Sequence, residues 1–260
     1  MTDIVGRITS LFSKDIMADQ VFGISTNILQ YSYVDRGHLD SRLEKLLSRN
    51  MHIALRGESK CGKSWLRKKN INDSIIVQCR RSKRLVDIYS DILSQLDLLV
   101  HIETTDGKNR SYRVEGGGDL GAGILSSIRG RIDMTKGNET THKFLRVGGD
   151  IHDLRFIADV VKASGKKLVI EDFHYLTADE RRNFAYDLKT LWDYEVFCVI
   201  IRIWTENNLL IHLNPDLSGR IEEISIYWSE GDLRKVIEQG CSALNVSISE
   251  EISSVIVKDS

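Results

Sequence analysis

Met51–Lys69, MHIALRGESKCGKSWLRKK, is the stretch on which the reading of the whole chain turns. Met51, Ile53 and Leu55 alternate with the period of a strand, and Trp65, Leu66 and the basic run Arg67, Lys68, Lys69 continue as helix without a breaker. Between them lies the turn Gly57-Glu58-Ser59-Lys60-Cys61-Gly62-Lys63-Ser64. Its glycines let the backbone curl tightly enough for successive N–H groups to point inward at phosphate oxygens. The helix that starts there adds exposed N–H groups and the positive end of its dipole. In such a loop the Lys63 ammonium reaches the β- and γ-phosphates and the Ser64 hydroxyl ligates Mg²⁺. This spacing of G, G-K and S/T arises by chance in roughly one chain in a hundred of this length. The strand before it and the helix after it favour a phosphate-binding loop, in which residues 57 to 64 and Trp65 contact the nucleotide, over a ligand-free glycine turn.

The formal charge is −1, so no global basic field draws the chain to nucleic acid; any such contact needs a local patch. Cys61, Cys79, Cys198 and Cys241 are far apart and show no metal-ligand spacing, as expected of reduced thiols in a cytosol. No apolar run approaches the roughly 18 residues of a membrane span, and the first residues lack the basic and apolar regions of a secretory signal. The expected location is cytoplasmic.

Upstream of the loop, Ile4, Val5, Ile8, Leu11 and Phe12 form a weak amphipathic stripe, read as a helical arm over residues 1–30 that either packs on its own domain or docks elsewhere. Tyr33-Val34-Asp35-Arg36 leads into a helix with Leu39, Leu43, Leu46 and Leu47 on one face. Tyr33 and Val34 either flank an adenine or simply pack. Downstream, SIIVQC (Ser74–Cys79) reads as a buried strand and Leu85–Leu96 as an amphipathic helix. Arg80, Arg81, Lys83 and Arg84 between them either touch phosphate or are solvated loop charge. From about residue 101 to 150 the periodicity lapses and glycines crowd in, marking an insertion whose most ordered part is Ile124–Ile132.

A further apolar strand, Lys167–Ile170, ends in Glu171-Asp172. Behind a phosphate loop, the first such carboxylate steadies Mg²⁺ and the next polarises the attacking water, which makes Glu171 a metal residue and Asp172 the base. The commoner order is Asp then Glu; the shorter reach of Asp172 points to slow hydrolysis. His174 either orients that water or bonds within its loop. VFCVIIRIW (Val196–Trp204) has the nearly continuous apolar character of a central parallel strand, and Thr205 and Asn207 at its end are candidates for the γ-phosphate or for helix capping. Arg220, before a last strand at Ile221–Tyr227, is either an arginine finger offered across a subunit boundary or a surface residue. Ser229 opens a helix expected to close at Gly240, and Ser249 opens another.

Taken together, YVDR (Tyr33–Arg36), GESKCGKS (Gly57–Ser64), VIEDFHYL (Val169–Leu176) and DLSGRIEEISIYWSEGDL (Asp216–Leu233) resemble the AAA+ P-loop ATPases, specifically the prokaryotic STAND-like branch related to origin-recognition ATPases. The resemblance implies an α/β three-layer sandwich with a central parallel five-stranded sheet and the P-loop strand at its centre. It implies an ATPase core over residues 31–227, a short, incomplete helical lid over 228–260 in which Arg234 is a poor match for a lid arginine, and ATP and Mg²⁺ as cofactors. It also implies a homo-oligomer with Arg220 near the subunit interface and a sensor or effector partner, many such proteins serving antiphage defence. Two other functions stay open: a DNA-acting ATPase using Arg80–Arg84, Arg129 and Arg131, and a nucleotide-binding scaffold without turnover.

Overall fold

A computed structural model describes residues 16–23, 25–105, 109–135, 151–203 and 207–259. The strands are β1 (His52–Arg56), β2 (Ser74–Gln78), β3 (Leu98–Thr105), β4 (Asn109–Gly116), β5 (Lys167–Glu171), β6 (Cys198–Arg202) and β7 (Ile221–Ser225). The helices are α1 (Ala18–Val21), α2 (Leu39–Leu47), α3 (Lys63–Asn70), α4 (Leu85–Ser94), α5 (Asp119–Thr135), α6 (Leu154–Ser164), α7 (Ala178–Asp193), α8 (Leu209–Leu213), α9 (Glu230–Ala243) and α10 (Glu250–Asp259). No helix among the described residues is long and apolar enough to cross a membrane.

The chain divides into two compact units. The larger, Arg42–Lys63 with Asn70–Ile226, holds a five-stranded parallel sheet in the order β2-β5-β6-β1-β7. All five residues of β6 are buried, Arg202 included, as its nearly continuous apolar run requires of the middle strand. The phosphate-loop strand β1 is therefore not central: it lies between β6 and β7, one place from the edge. Strand order is fixed by pairings across most of the chain, and the local pattern of β1 carries no record of them. Alternation sends Ala54, Ile75, Val77, Leu168, Ile170 and Ile200 into a core with α4, α6 and α7, while Ile53, Leu55, Val169, Val199 and Ile201 are buried on the other face. Parallel register pairs Arg56 with Arg202 and Ser225, and Gln78 with Glu171, so these strand ends share one edge of the sheet.

Residues 98–135 correct the reading of the insertion as unpatterned. β3 and β4 form an antiparallel hairpin, Leu98 opposite Gly116 and Thr105 opposite Asn109, and α5 follows. Ile124, Leu125 and Ile128 of α5 join Leu98 and Val114 in the main core, so this part of the insertion is built into the unit. The dipeptide Asp106-Gly107 between the two strands is the sequence signal that would have found the hairpin. The glycines at 148 and 149 lie outside the described residues.

The second unit comprises the described residues of Met1–Ser41, with Ser64–Lys69 and Tyr227–Ser260. The apolar stripe from Ile4 to Phe12 lies outside the described residues. The chain that follows is held at both ends of its course: Phe22 packs on α9, while Trp65 Nε1 donates to the Ser25 carbonyl at 3.3 Å and Lys68 bonds that of Thr26. Gly240 does not end α9, which runs on to Ala243. It is glycine because a Cβ there would sit 2.0 Å from Phe22 Cζ. Ser229 caps α9 as expected, accepting from Asp232 N at 3.1 Å. Arg234 joins α9 to α10 through Glu250 and, at 3.1 Å, Ser254 Oγ.

His52 shows how tightly the sheet meets α7. It is fully buried, with Nε2 donating to the Leu188 carbonyl at 2.8 Å and Nδ1 accepting from Cys198 N at 3.0 Å, which assigns a neutral ring. Burial pushes its pKa down to about 4. A neutral imidazole favoured in the folded state contributes stability that is full above the unfolded value near 6.5 and is lost as the pH falls through 4. That loss is about 3 kcal/mol. Urea unfolding followed from pH 8 to 4 should show wild-type stability declining by this amount more than that of His52→Gln, which cannot titrate.

Candidate functional site

The phosphate loop leaves β1 at Arg56 and enters α3 at Lys63. Gly57 turns away from the sheet with φ +158, and a Cβ there would lie 2.2 Å from the Ile226 carbonyl oxygen and 2.7 Å from Cys61 Sγ. Ile226 is held in place by its own N–H, which donates to the Arg56 carbonyl at 2.8 Å. Lys60 and Gly62 take positive φ values of 63 and 87, on either side of Cys61. Left-handed residues set this close together in a tight turn favour N–H groups that point into one concavity, which is the shape a phosphate needs. Lys63 is buried to 8% exposure, and its Nζ lies over the loop, donating to the Gly57 carbonyl at 2.9 Å, to the Glu58 carbonyl, and facing Cys61 Sγ at 3.4 Å. Glu58, Ser59 and Lys60 are exposed and Cys61 is buried. Backbone, cation and the Ser64 hydroxyl that follows are the donor set a triphosphate with Mg²⁺ calls for.

Across β6, the carboxylates end β5. The β1 to β5 separation is two strand spacings, about 10 Å. Glu171 is the last residue of β5; Asp172 follows in a left-handed conformation, φ 55, ψ 32, at the head of a short 3₁₀ turn, Phe173–Tyr175. Gln78 Nε2 donates to Asp172 Oδ2 at 2.9 Å. That residue escaped the sequence reading, although a polar side chain closing β2 beside a strand that ends in carboxylates is a visible signal. His174 accepts from Ile203 N at 3.4 Å and lies against Tyr175, ring centres 4.2 Å apart. Its pKa is lowered first by burial, then by the charges of Lys63 and Arg181, against a raising effect of Asp172. So a neutral ring that bonds the end of β6 stands within electrostatic reach of both Lys63 and Asp172.

The other candidates distribute as follows. Asn207 is exposed at the turn before α8; Thr205 lies outside the described residues. Arg220 stands at the opposite end of the sheet from the phosphate loop: its carbonyl accepts from His52 N at 2.8 Å, and its guanidinium lies 4.9 Å from the Trp192 ring centre and bonds the Asp216 carbonyl. The length of β1, about 13 Å, separates it from the loop of its own chain. In the basic cluster, Lys83 is buried and committed to Asp91 and, at 2.9 Å, to the Gln78 carbonyl, while Arg80 and Arg81 are exposed. In the smaller unit, Tyr33 donates to Asp40 Oδ1 at 2.7 Å and carries Lys69 Nζ 4.1 Å from its ring centre. Burial, ahead of its bond to Asp40, raises the Tyr33 pKa. Val34 is buried, and Arg36 stacks 3.8 Å from the Trp228 ring centre.

No protein-family model matches the chain, and no curated protein matches it by sequence. Solved structures do. A Walker-type ATPase of Pyrococcus abyssi superposes with a TM-score of 0.54 at 16% identity, over 93% of this chain and 67% of its own. Cdc6p of Pyrobaculum aerophilum superposes at 0.51 and 12% identity, over 93% and 58%. A signal-transduction ATPase with numerous domains and a tetratricopeptide repeat sensor, from Pyrococcus horikoshii, gives 0.49 at 13%, over 87% and 28%. The chain thus spans about two thirds of the first protein and little more than half of the second. This chain therefore shares its fold, an α/β arrangement around a parallel five-stranded sheet, with a Walker-type ATPase and with Cdc6p, as the motifs implied.

Gly57→Ala tests the loop geometry directly. The added methyl group would displace either Ile226 or Cys61, and binding of a fluorescent ATP analogue should weaken by about a hundredfold, close to 3 kcal/mol. Far-ultraviolet circular dichroism should stay that of the wild type.

Proposed function

We propose that the chain is a Mg²⁺-dependent ATP-binding and ATP-hydrolysing switch that assembles in its ATP form and acts on a partner. The observation that carries the reading is the meeting at one sheet edge of a buried lysine over a nest-like loop and, one strand beyond β6, the Glu171-Asp172 pair. Lys63 leaves its loop carbonyls for the β- and γ-phosphates, an exchange of neutral acceptors for charged ones. Ser64 and Glu171 would be the residues to hold Mg²⁺, as the motifs imply. Bound Mg²⁺ supplies charge neutralisation at the terminal phosphate. Asp172 polarises the attacking water; its short side chain and its bond to Gln78 favour slow turnover and a long-lived ATP state.

Arg220 supports assembly. Turned from its own loop, it can stabilise transferred charge only in a neighbour's site, where such a cation is worth roughly 10³-fold or more in rate. The resemblance of the motifs to the STAND-like branch extends the reading to control of a sensor or effector, in antiphage defence. Exposed Arg80 and Arg81 beside Asp172 keep nucleic acid as a second partner class, and acceleration of turnover by DNA at low salt would favour it.

ATP turnover and light scattering of wild type, Lys63→Ala and Asp172→Ala, with and without Mg²⁺, test the proposal. Wild type should turn over more slowly than about 1 s⁻¹ and grow in size with Mg²⁺-ATP. Lys63→Ala should lose binding and growth, and Asp172→Ala should keep both while losing turnover. Equal turnover in wild type and Asp172→Ala, or an unchanged size with ATP bound, would overturn the hydrolytic and assembly parts respectively.

A further inference from the structure

Glu223 lies in the middle of β7, opposite Ala54 of β1. Its carboxylate is gripped from two other strands: Oε1 is 2.6 Å from Arg56 Nε, and Oε2 is bonded by Arg202. Arg202 has no exposed surface and Glu223 only 13% of its side chain. Arg56 is the residue before Gly57, and Arg202 is the last residue of β6, its register partner in β1 being Arg56 itself. Oε1 also accepts from Asn208 N at 3.3 Å. One carboxylate therefore joins the root of the phosphate loop, the end of the central strand and the chain beyond Asn207. On the other side of β6, His174 holds Ile203 N.

Two guanidinium groups share this one carboxylate at a place largely shielded from water. Buried ion groups are poor stabilisers, because desolvation offsets their attraction and apolar side chains of equal volume do as well or better. What such a group does provide is fixed relative geometry, since the planar forks of two arginines on two oxygens allow little play. Its members here border the loop that would take the phosphates and the strand end that would face the last of them.

Resting on the ATP reading above, we infer that Glu223 is a positioning residue for the terminal phosphate. Through Arg56 and Arg202 it holds the phosphate loop and the chain on either side of β6's exit in one register, and this register distinguishes a nucleoside triphosphate from a diphosphate. Glu223 itself touches no nucleotide.

The test is titration with N-methylanthraniloyl-ATP and N-methylanthraniloyl-ADP, with Mg²⁺, of wild type, Glu223→Gln and the double variant Arg202→Met with Glu223→Gln. Glu223→Gln should shift the ratio of the two affinities toward the diphosphate by about tenfold or more, with ADP affinity within about threefold of wild type. The double variant removes one buried cation together with its anion, so its melting temperature should return toward wild type while the affinity ratio stays shifted. It also keeps the comparison readable should Glu223→Gln not fold. Ratios unchanged in both variants, equal loss of both nucleotides, or a ratio restored along with the melting temperature would each overturn the positioning role. Wild type binding neither nucleotide would overturn the ATP reading and this role with it; wild type binding both with unaltered variants removes the role of Glu223 alone.

Discussion

A carbonyl oxygen sits where a side chain on Gly57 would have to be. Ile226 occupies that place because its N–H bonds the carbonyl of Arg56, extending the β1 to β7 pairing one step past the strand. The curl of the phosphate loop is thus set from outside, by a backbone group belonging to the last strand of the sheet. Everything else at the site is placed relative to that contact. Lys63 folds over the loop it closes, β6 lies beside β1 and ends in Arg202, and β5 carries its carboxylates one strand farther out.

Much of this was legible because the relevant physics is local. A glycine-bracketed turn between an alternating strand and a helix identifies its own geometry, and a nearly continuous apolar run as short as that of β6 reads as a strand buried on both faces. Ser229 and Ser249 were readable for the same reason, a hydroxyl placed before a helical stripe. What escaped was non-local. The place of β1 in the sheet, the packing that demands glycine at 240, and the bond from Gln78 to Asp172 each join residues far apart in sequence. Arg202 is the instructive case. It is a charge inside an apolar run, and a strand buried on both faces has no water for it, so the sequence required a buried partner without saying which of many carboxylates served.

Burial also sorts the cysteines. Cys79 and Cys198 are pushed up to about 12, chiefly by desolvation of the thiolate, and such thiols are poor nucleophiles. Cys198 is fully enclosed beside His52, where it acts as a small apolar residue that also offers its backbone N–H to the ring. Cys61 faces the Lys63 ammonium from within the phosphate loop, and its sulfur fills the space that Gly57 leaves. Cysteine suits that place because it is compact and packs like a small hydrophobe.

The dependence of Gly57 on Ile226 also dictates an order of events when the chain folds. β1 finds both of its neighbours only in β6 and β7, and long-range parallel pairings form late because loop closure is costly before contacts reward it. During synthesis from the N-terminus, the loop is made well before its mould, which arrives only with β7. A nascent chain halted before Ile226 would carry every residue of the phosphate loop with nothing to shape it. The shape of the loop is therefore acquired only once β7 has taken its place beside β1.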